Sequence, residues 1–237
     1  MRVGSGKRQR IDRFGVKGIL VWNLLIMVDC AILLLAAGRV NWINAWIYIG
    51  LILAYELVCT VSLILLNPVV LNTRGKFAKK GTKTFDYWYM VLYMLFSLAG
   101  LIVMGFDAGR YRWSVVPWGV VLAGIVMILP AFVLGICAMA VNPYFECTVR
   151  IQKDREHQVV TAGPYRWMRH PGYAGQILSW LATPLILGSW WGVLPSTLVI
   201  VLIVIRTILE DRTLLKELPG YGEYVRTTRY RLLPPIW

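Results

Sequence analysis

The chain has 237 residues, of which 58% are hydrophobic and only 16% charged, and its formal net charge is +13. A soluble domain averages nearer ~25% charged residues, so this composition excludes an ordinary soluble globular fold. The basic excess needs no nucleic acid to explain it: no nucleic-acid-binding signature is present, and anionic lipid headgroups are the partner that such a charge suits.

Long apolar runs recur along the chain, each approaching the roughly 20 residues that a helix needs to cross a bilayer. They predict an all-α, polytopic helical bundle with about six transmembrane helices. A basic segment, 1–17, leads. Its Val3–Gln9 stretch, VGSGKRQ, hints at a phosphate loop but fails it: Met1 stands where the first glycine belongs, and Arg8 follows Lys7 where Ser or Thr is required. The segment reads as a cytoplasmic arm. The apolar run after it is too long for a signal-peptide core and reads as a retained anchor.

The first span is Gly18–Ala37, carrying Asn23, Asp29 and Cys30. Asn44–Leu66 follows and is closed by Asn67–Pro68. Phe85–Phe106 opens on the aromatic cluster FDYWY, and Val115–Val141 contains Pro130, a source of tilt or kinking. Tyr173–Leu187 is short and interrupted by Pro184; Trp191–Leu209 completes a hairpin with it through GSWWG. Trp residues crowd the expected span ends, as rings at headgroup level do. With six spans both termini share one side, and all but three of the 25 Lys and Arg fall there, the exceptions being Arg39, Arg110 and Arg112. The positive-inside rule makes that side cytoplasmic, in a bacterial inner membrane or an endoplasmic reticulum.

Charges within spans are costly unless partnered. For Asp29 and Glu56, near mid-span, helix–helix hydrogen bonding to Asn23, Ser62 or a tyrosine outweighs a cavity-lining role. Asp86 and Glu146, near cytoplasmic ends, are expected to reach water. Cys30, Cys59, Cys137 and Cys147 form no CxxC pair, and with two histidines in the chain no metal site is expected.

Almost all remaining polarity lies in Asn142–Tyr173 and Arg206–Trp237, brought to one membrane face by the last hairpin. In the first, Gly163–Pro164 and His170–Pro171 fix turns. Arg169 and His170 supply donors, Tyr165, Trp167 and Tyr173 ring faces, and the helix start near Gly172 an anion-binding end. In the second, Arg206 and Glu210 share a helix face, whereas Asp211 points about 100° away, toward a tail in which Arg229 or Arg231 can pair with it. Such a pocket suits a ligand with a carboxylate, an ammonium, a ribose and a cationic centre. S-adenosylmethionine has all four, although composition alone does not select it over another zwitterionic nucleotide.

The run His157-x5-Gly163-Pro164-Tyr165-Arg166-x2-Arg169-His170-Pro171-x-Tyr173-x-Gly175, then Arg206-x3-Glu210-Asp211, then Tyr221-Gly222-x-Tyr224, resembles the isoprenylcysteine carboxyl methyltransferase family. Membrane phospholipid N-methyltransferases share its RHP-x-Y and paired-acid parts. The resemblance covers roughly Val141 to the C-terminus. It implies a membrane methyltransferase region at 142–237 behind a scaffold at 18–141, with S-adenosylmethionine as donor and S-adenosylhomocysteine as product. It further implies that His157, Gly163, Tyr165, Arg169, His170, Pro171, Tyr173, Glu210 and Asp211 bind the donor, and that Arg206 orients a lipophilic acceptor beside Glu210. The acid pair is Glu-Asp where the family pattern has Glu-Glu. A sterol-type membrane reductase using NADPH and a non-catalytic multi-pass protein are the competing readings.

Overall fold

The structure is a computed structural model and describes residues 10–76 and 80–237. The VGSGKRQ stretch and most of the basic arm lie outside the described residues. Among those described, every regular element is helical. Five helices are long and apolar enough to cross a membrane, and the chain is an integral membrane protein.

Helix α1, Arg13–Ala37, starts inside the segment expected to be an arm. Asp12 is the reason: its carboxylate accepts from Phe14 N (2.8 Å) and Gly15 N (2.9 Å), satisfying two of the orphan donors of the first turn. Helix α2, Ile43–Leu66, stops before Pro68, which cannot continue its hydrogen bonding. Pro68 instead opens a short helix that the sequence pattern did not reveal, α3, Pro68–Arg74, at the position where a fixed φ favours helix initiation.

Helix α3 is clamped in place. Asn72 accepts from Asp12 N (3.0 Å) and donates to Arg10 O (3.1 Å), and Asn67 donates to Met139 O (2.8 Å). At Gly75 the chain passes so close to α1 that an added Cβ would lie 1.8 Å from Phe14 O.

Helix α4, Thr84–Met104, runs on into a π-helical turn, Gly105–Tyr111. There Asp107 is fully buried, accepting from Ser114 N (2.9 Å), Ser114 Oγ (2.6 Å) and Ser189 Oγ (2.5 Å). This knot ties α4 to the GSWWG hairpin turn. Arg39 donates to Ala108 O and Arg110 to Leu35 O, so two of the three exceptional arginines cap the same end of the bundle.

Helices α5 (Trp118–Val141), α6 (Pro171–Leu187) and α7 (Val193–Glu217) carry the polar segments, and α8 (Tyr221–Thr227) closes the chain's last turn. The expected fifth span is α6, a 17-residue helix with Pro184 inside. It falls short of the ~20 residues of a full span, yet the turn that follows it reaches the Asp107 knot, so the α6–α7 hairpin returns the chain to the side it left. The main packing partner of α6 is α5. An added Cβ at Gly175 would lie 2.7 Å from Ala131 O, a contact that only glycine permits.

Candidate active site

The connector between α5 and α6 is held from both sides. Gly163 takes a left-handed φ of +57°, and Pro164 and Tyr165 follow in a short 3-10 turn. The Tyr165 hydroxyl accepts from Asn142 Nδ2 (2.9 Å), and its carbonyl accepts from the Tyr224 hydroxyl (2.7 Å). Farther along, Arg169 N donates to Tyr230 O and His170 N to Arg231 O, each at 2.9 Å. The C-terminal segment therefore pairs with the connector through main-chain bonds.

Asp211 locks the two together. Its carboxylate meets Arg169 Nη1 (3.3 Å), His170 Nε2 (3.2 Å) and Arg231 Nε (3.0 Å), and it accepts from the Tyr221 hydroxyl (2.8 Å). The geometry matches the tail-facing direction expected for it, with Arg231 as the ion partner; Arg229 instead offers its carbonyl to Arg169. Burial pushes the Tyr221 phenol up, so it remains a donor.

On a neighbouring face of α7, Arg206 and Glu210 converge on Tyr173. Glu210 accepts from the Tyr173 hydroxyl, and the Arg206 guanidinium lies 5.3 Å from the Tyr173 ring centre and 4.3 Å from that of Tyr89. The ion partner of Arg206 is not Glu210 but Asp86 of α4, at 2.8 Å, with a further bond to Cys147 O (2.7 Å). This corrects the expectation for Asp86, which is fully buried rather than water-facing. Glu146 is corrected likewise: its side chain is 1% exposed and is held by Arg150 at 2.9 Å. Glu56 does hydrogen-bond within the bundle, but to Thr60 (3.0 Å) on its own helix.

These elements enclose a cavity of about 330 Å³. His157, Tyr165, Arg169, His170, Tyr173, Arg206 and Glu210 all line it. Gly163, Pro171 and Asp211 do not: they shape the wall from behind. The His157 ring packs on Tyr144 at 4.5 Å, and burial pulls its pKa below the usual histidine value. Gly172 lines the cavity with the Phe145 ring against it, an added Cβ lying 2.7 Å from the ring, which explains glycine inside RHP-x-Y. Arg169 Nε, Gln176 Oε1 and Thr148 Oγ1 are buried at the cavity without a hydrogen-bond partner among the described residues. Unpaired buried polar atoms are costly, and here they are positioned to meet a polar ligand.

The sequence profile described as Phospholipid methyltransferase matches residues 118–220, which run from α5 to the turn before α8. A probable protein-S-isoprenylcysteine O-methyltransferase of Oryza sativa subsp. indica is 29% identical over 112 residues, 46% of this chain and 59% of that protein. The protein-S-isoprenylcysteine O-methyltransferase of Saccharomyces cerevisiae is 30% identical over 97 residues, 41% of this chain and 38% of its own. That of Xenopus laevis is 42% identical over 53 residues, 22% and 18% of the respective chains. The similarity to both groups lies in the C-terminal half, and the chain spans about three fifths or less of the length of these relatives.

Residues 118–220 do not build the cavity alone. Trp22 of α1, Arg74 of α3, and Tyr89, Met90 and Tyr93 of α4 complete the cavity wall. Sequence reading missed them because FDYWY has the look of an interfacial aromatic belt, and Arg74 is one basic residue among several. One signal was available for Asp86. A lone acid at the cytoplasmic end of one span and a lone arginine at the cytoplasmic end of another are natural partners.

Proposed function

We propose that the chain is an integral membrane methyltransferase that moves a methyl group from S-adenosylmethionine to a lipophilic acceptor. The observation that carries this reading is the convergence of the RHP-x-Y connector and the α7 acids on one cavity, with Glu210 facing it and free of any ion partner among the described residues. The residues fit the donor. Arg169 Nε and Thr148 Oγ1 lack hydrogen-bond partners among the described residues, Glu210 suits a cation, and Tyr89, Tyr144 and Tyr165 offer ring faces. The volume lies in the range of small-molecule sites.

When bound, the donor supplies an electrophilic methyl on a sulfonium, an excellent leaving group. The chain's own task is alignment and exclusion of water, effects worth several kcal/mol. Arg206, fixed by Asp86, and Glu210, fixed by Tyr173, form the rigid part of the wall toward the acceptor. The relatives' names speak of isoprenylcysteine and the matching profile's of phospholipid; for this chain the acceptor class is a lipid-borne group reached from the bilayer side. Equilibrium binding tests the reading: S-adenosylhomocysteine should bind the purified protein and NADPH should not. The reverse preference would replace it with a reductase.

Orientation belongs to the same proposal. The cavity and both basic termini face the cytoplasm, and the Asp107 knot faces the other side. Cysteine labelling at Trp190 and at Trp237 should report opposite sides of the membrane; labelling of both from one side would sink this orientation.

A further inference from the structure

Eight ionisable side chains of the basic, acidic and histidine types line the cavity: Arg74, Arg150, Arg169, Arg206, Glu146, Glu210, His157 and His170. Arg206 is paired with Asp86, Arg169 and His170 both lie against Asp211, and Arg150 is paired with Glu146. Two full charges are left without an ion pair among the described residues: the Glu210 carboxylate and the Arg74 guanidinium. Glu210 suits the cationic donor. Arg74 has no counterpart in the proposed reaction so far.

The surroundings of Arg74 are unusual for a guanidinium. Its Nε donates to Cys147 Sγ (3.3 Å) and its Nη1 to Met139 Sδ (3.0 Å), both weak acceptors. Two rings flank it as well, Trp22 at 5.2 Å and Phe145 at 6.0 Å. Glu56 lies within electrostatic range but beyond ion-pair distance, its carboxylate engaged with Thr60. Sulfur acceptors and ring faces satisfy a guanidinium only weakly, so an anion that reaches it gains strong charge-assisted bonds. The clamp on α3 described above holds the arginine in that place. Cys147 links the two arginines: Arg74 bonds its sulfur and Arg206 its carbonyl.

We propose that Arg74 docks an oxyanion carried by the lipophilic acceptor, a carboxylate or a phosphate. This rests on the methyltransferase reading above and names the acceptor class that goes with it. The partners of Arg74 favour an acceptor over the soluble donor. Trp22 and Met139 belong to membrane-spanning helices, so an anion at Arg74 has its apolar tail against α1 and α5. Where the anion is itself the methyl acceptor, a carboxylate oxygen forms the new O–CH3 bond as the S–CH3 bond breaks. The electron pair of that bond stays on sulfur, and no proton moves. The ester has lost the charge that Arg74 holds, which favours its release.

Full-length protein in bilayer discs tests this with three probes: S-farnesyl-N-acetylcysteine, its methyl ester, and short-chain phosphatidylethanolamine. The wild-type protein should bind at least one anionic probe, and Arg74→Gln should weaken that binding about tenfold or more. Arg74→Lys should lose less, and the methyl ester and S-adenosylhomocysteine should bind both variants alike. A loss confined to the farnesylcysteine acid identifies the anion as a carboxylate; one confined to the phospholipid identifies a headgroup phosphate. Unchanged affinity of both anions in Arg74→Gln overturns the proposal, including the case in which only S-adenosylhomocysteine weakens and Arg74 serves the donor's own carboxylate. Should Arg74→Gln not fold, the wild-type protein decides alone. A tenfold preference for acid over ester, or binding of the phospholipid that added inorganic phosphate displaces, supports the docking role; absence of both contradicts it. Arg74-dependent anion binding without any S-adenosylhomocysteine binding would keep the docking site and discard the methyltransferase reading.

Discussion

Glu210→Gln should lower turnover at saturating donor by about 10²-fold or more, the loss typical of removing one preorganised electrostatic partner from a transition state. The substitution keeps the shape of the side chain and an oxygen for the Tyr173 hydroxyl, so the cavity wall survives. What disappears is the one cavity carboxylate without an ion partner among the described residues. A donor that enters with a positive sulfonium loses its counter-charge. An amine acceptor loses in addition the group that can take its proton. The measurement is kcat at saturating donor together with S-adenosylhomocysteine affinity, which should change by only a few-fold. Near-normal turnover would reduce Glu210 to a piece of wall.

Asp211→Ala should destabilise the protein by about 3–5 kcal/mol, the cost of removing one partner from a buried ion pair. Asp211 is 3% exposed and holds the buried Arg169 and His170, which have no other carboxylate within reach among the described residues. Arg231 and Tyr221 lose the same anchor, so the tail and α8 both detach from α7. Amide hydrogen exchange gives the local readout. Arg169 N and His170 N are protected by Tyr230 O and Arg231 O, and both should exchange faster in the variant. Asp211→Asn keeps an acceptor and should mainly raise the donor concentration needed. Wild-type protection of both amides in Asp211→Ala would show that the tail is held by other means.

The division between what the sequence made legible and what it hid follows a physical line. Span existence was legible from apolar runs, and α7 was legible beyond its apolar part because Arg206, Glu210 and Asp211 continue its helical period. The direction of Asp211 followed from helical geometry alone. Long-range pairing was hidden. Nothing local marks Asp86 as the partner of Arg206, 120 residues away, and each residue taken singly is a plain charge at a span end. The start of α1 was hidden by its basic residues, whose charge suggests an arm while Asp12 caps a helix. Asp107 was hidden because a lone acid beside Arg110 and Arg112 reads as surface, whereas its partners are Ser114 and a serine brought in by the α6–α7 turn, Ser189.

The claim that the cavity between the connector and α7 is a methyl-transfer site is tested most directly by transfer itself. The purified protein in bilayer discs is incubated with methyl-labelled S-adenosylmethionine and lipophilic acceptors, S-farnesyl-N-acetylcysteine and phosphatidylethanolamine among them. The account predicts that label moves into the lipid-extractable fraction and that transfer drops sharply in His170→Ala, whose ring lines the cavity against Asp211. Label that stays on the donor for every acceptor, in protein that instead binds NADPH, would contradict it.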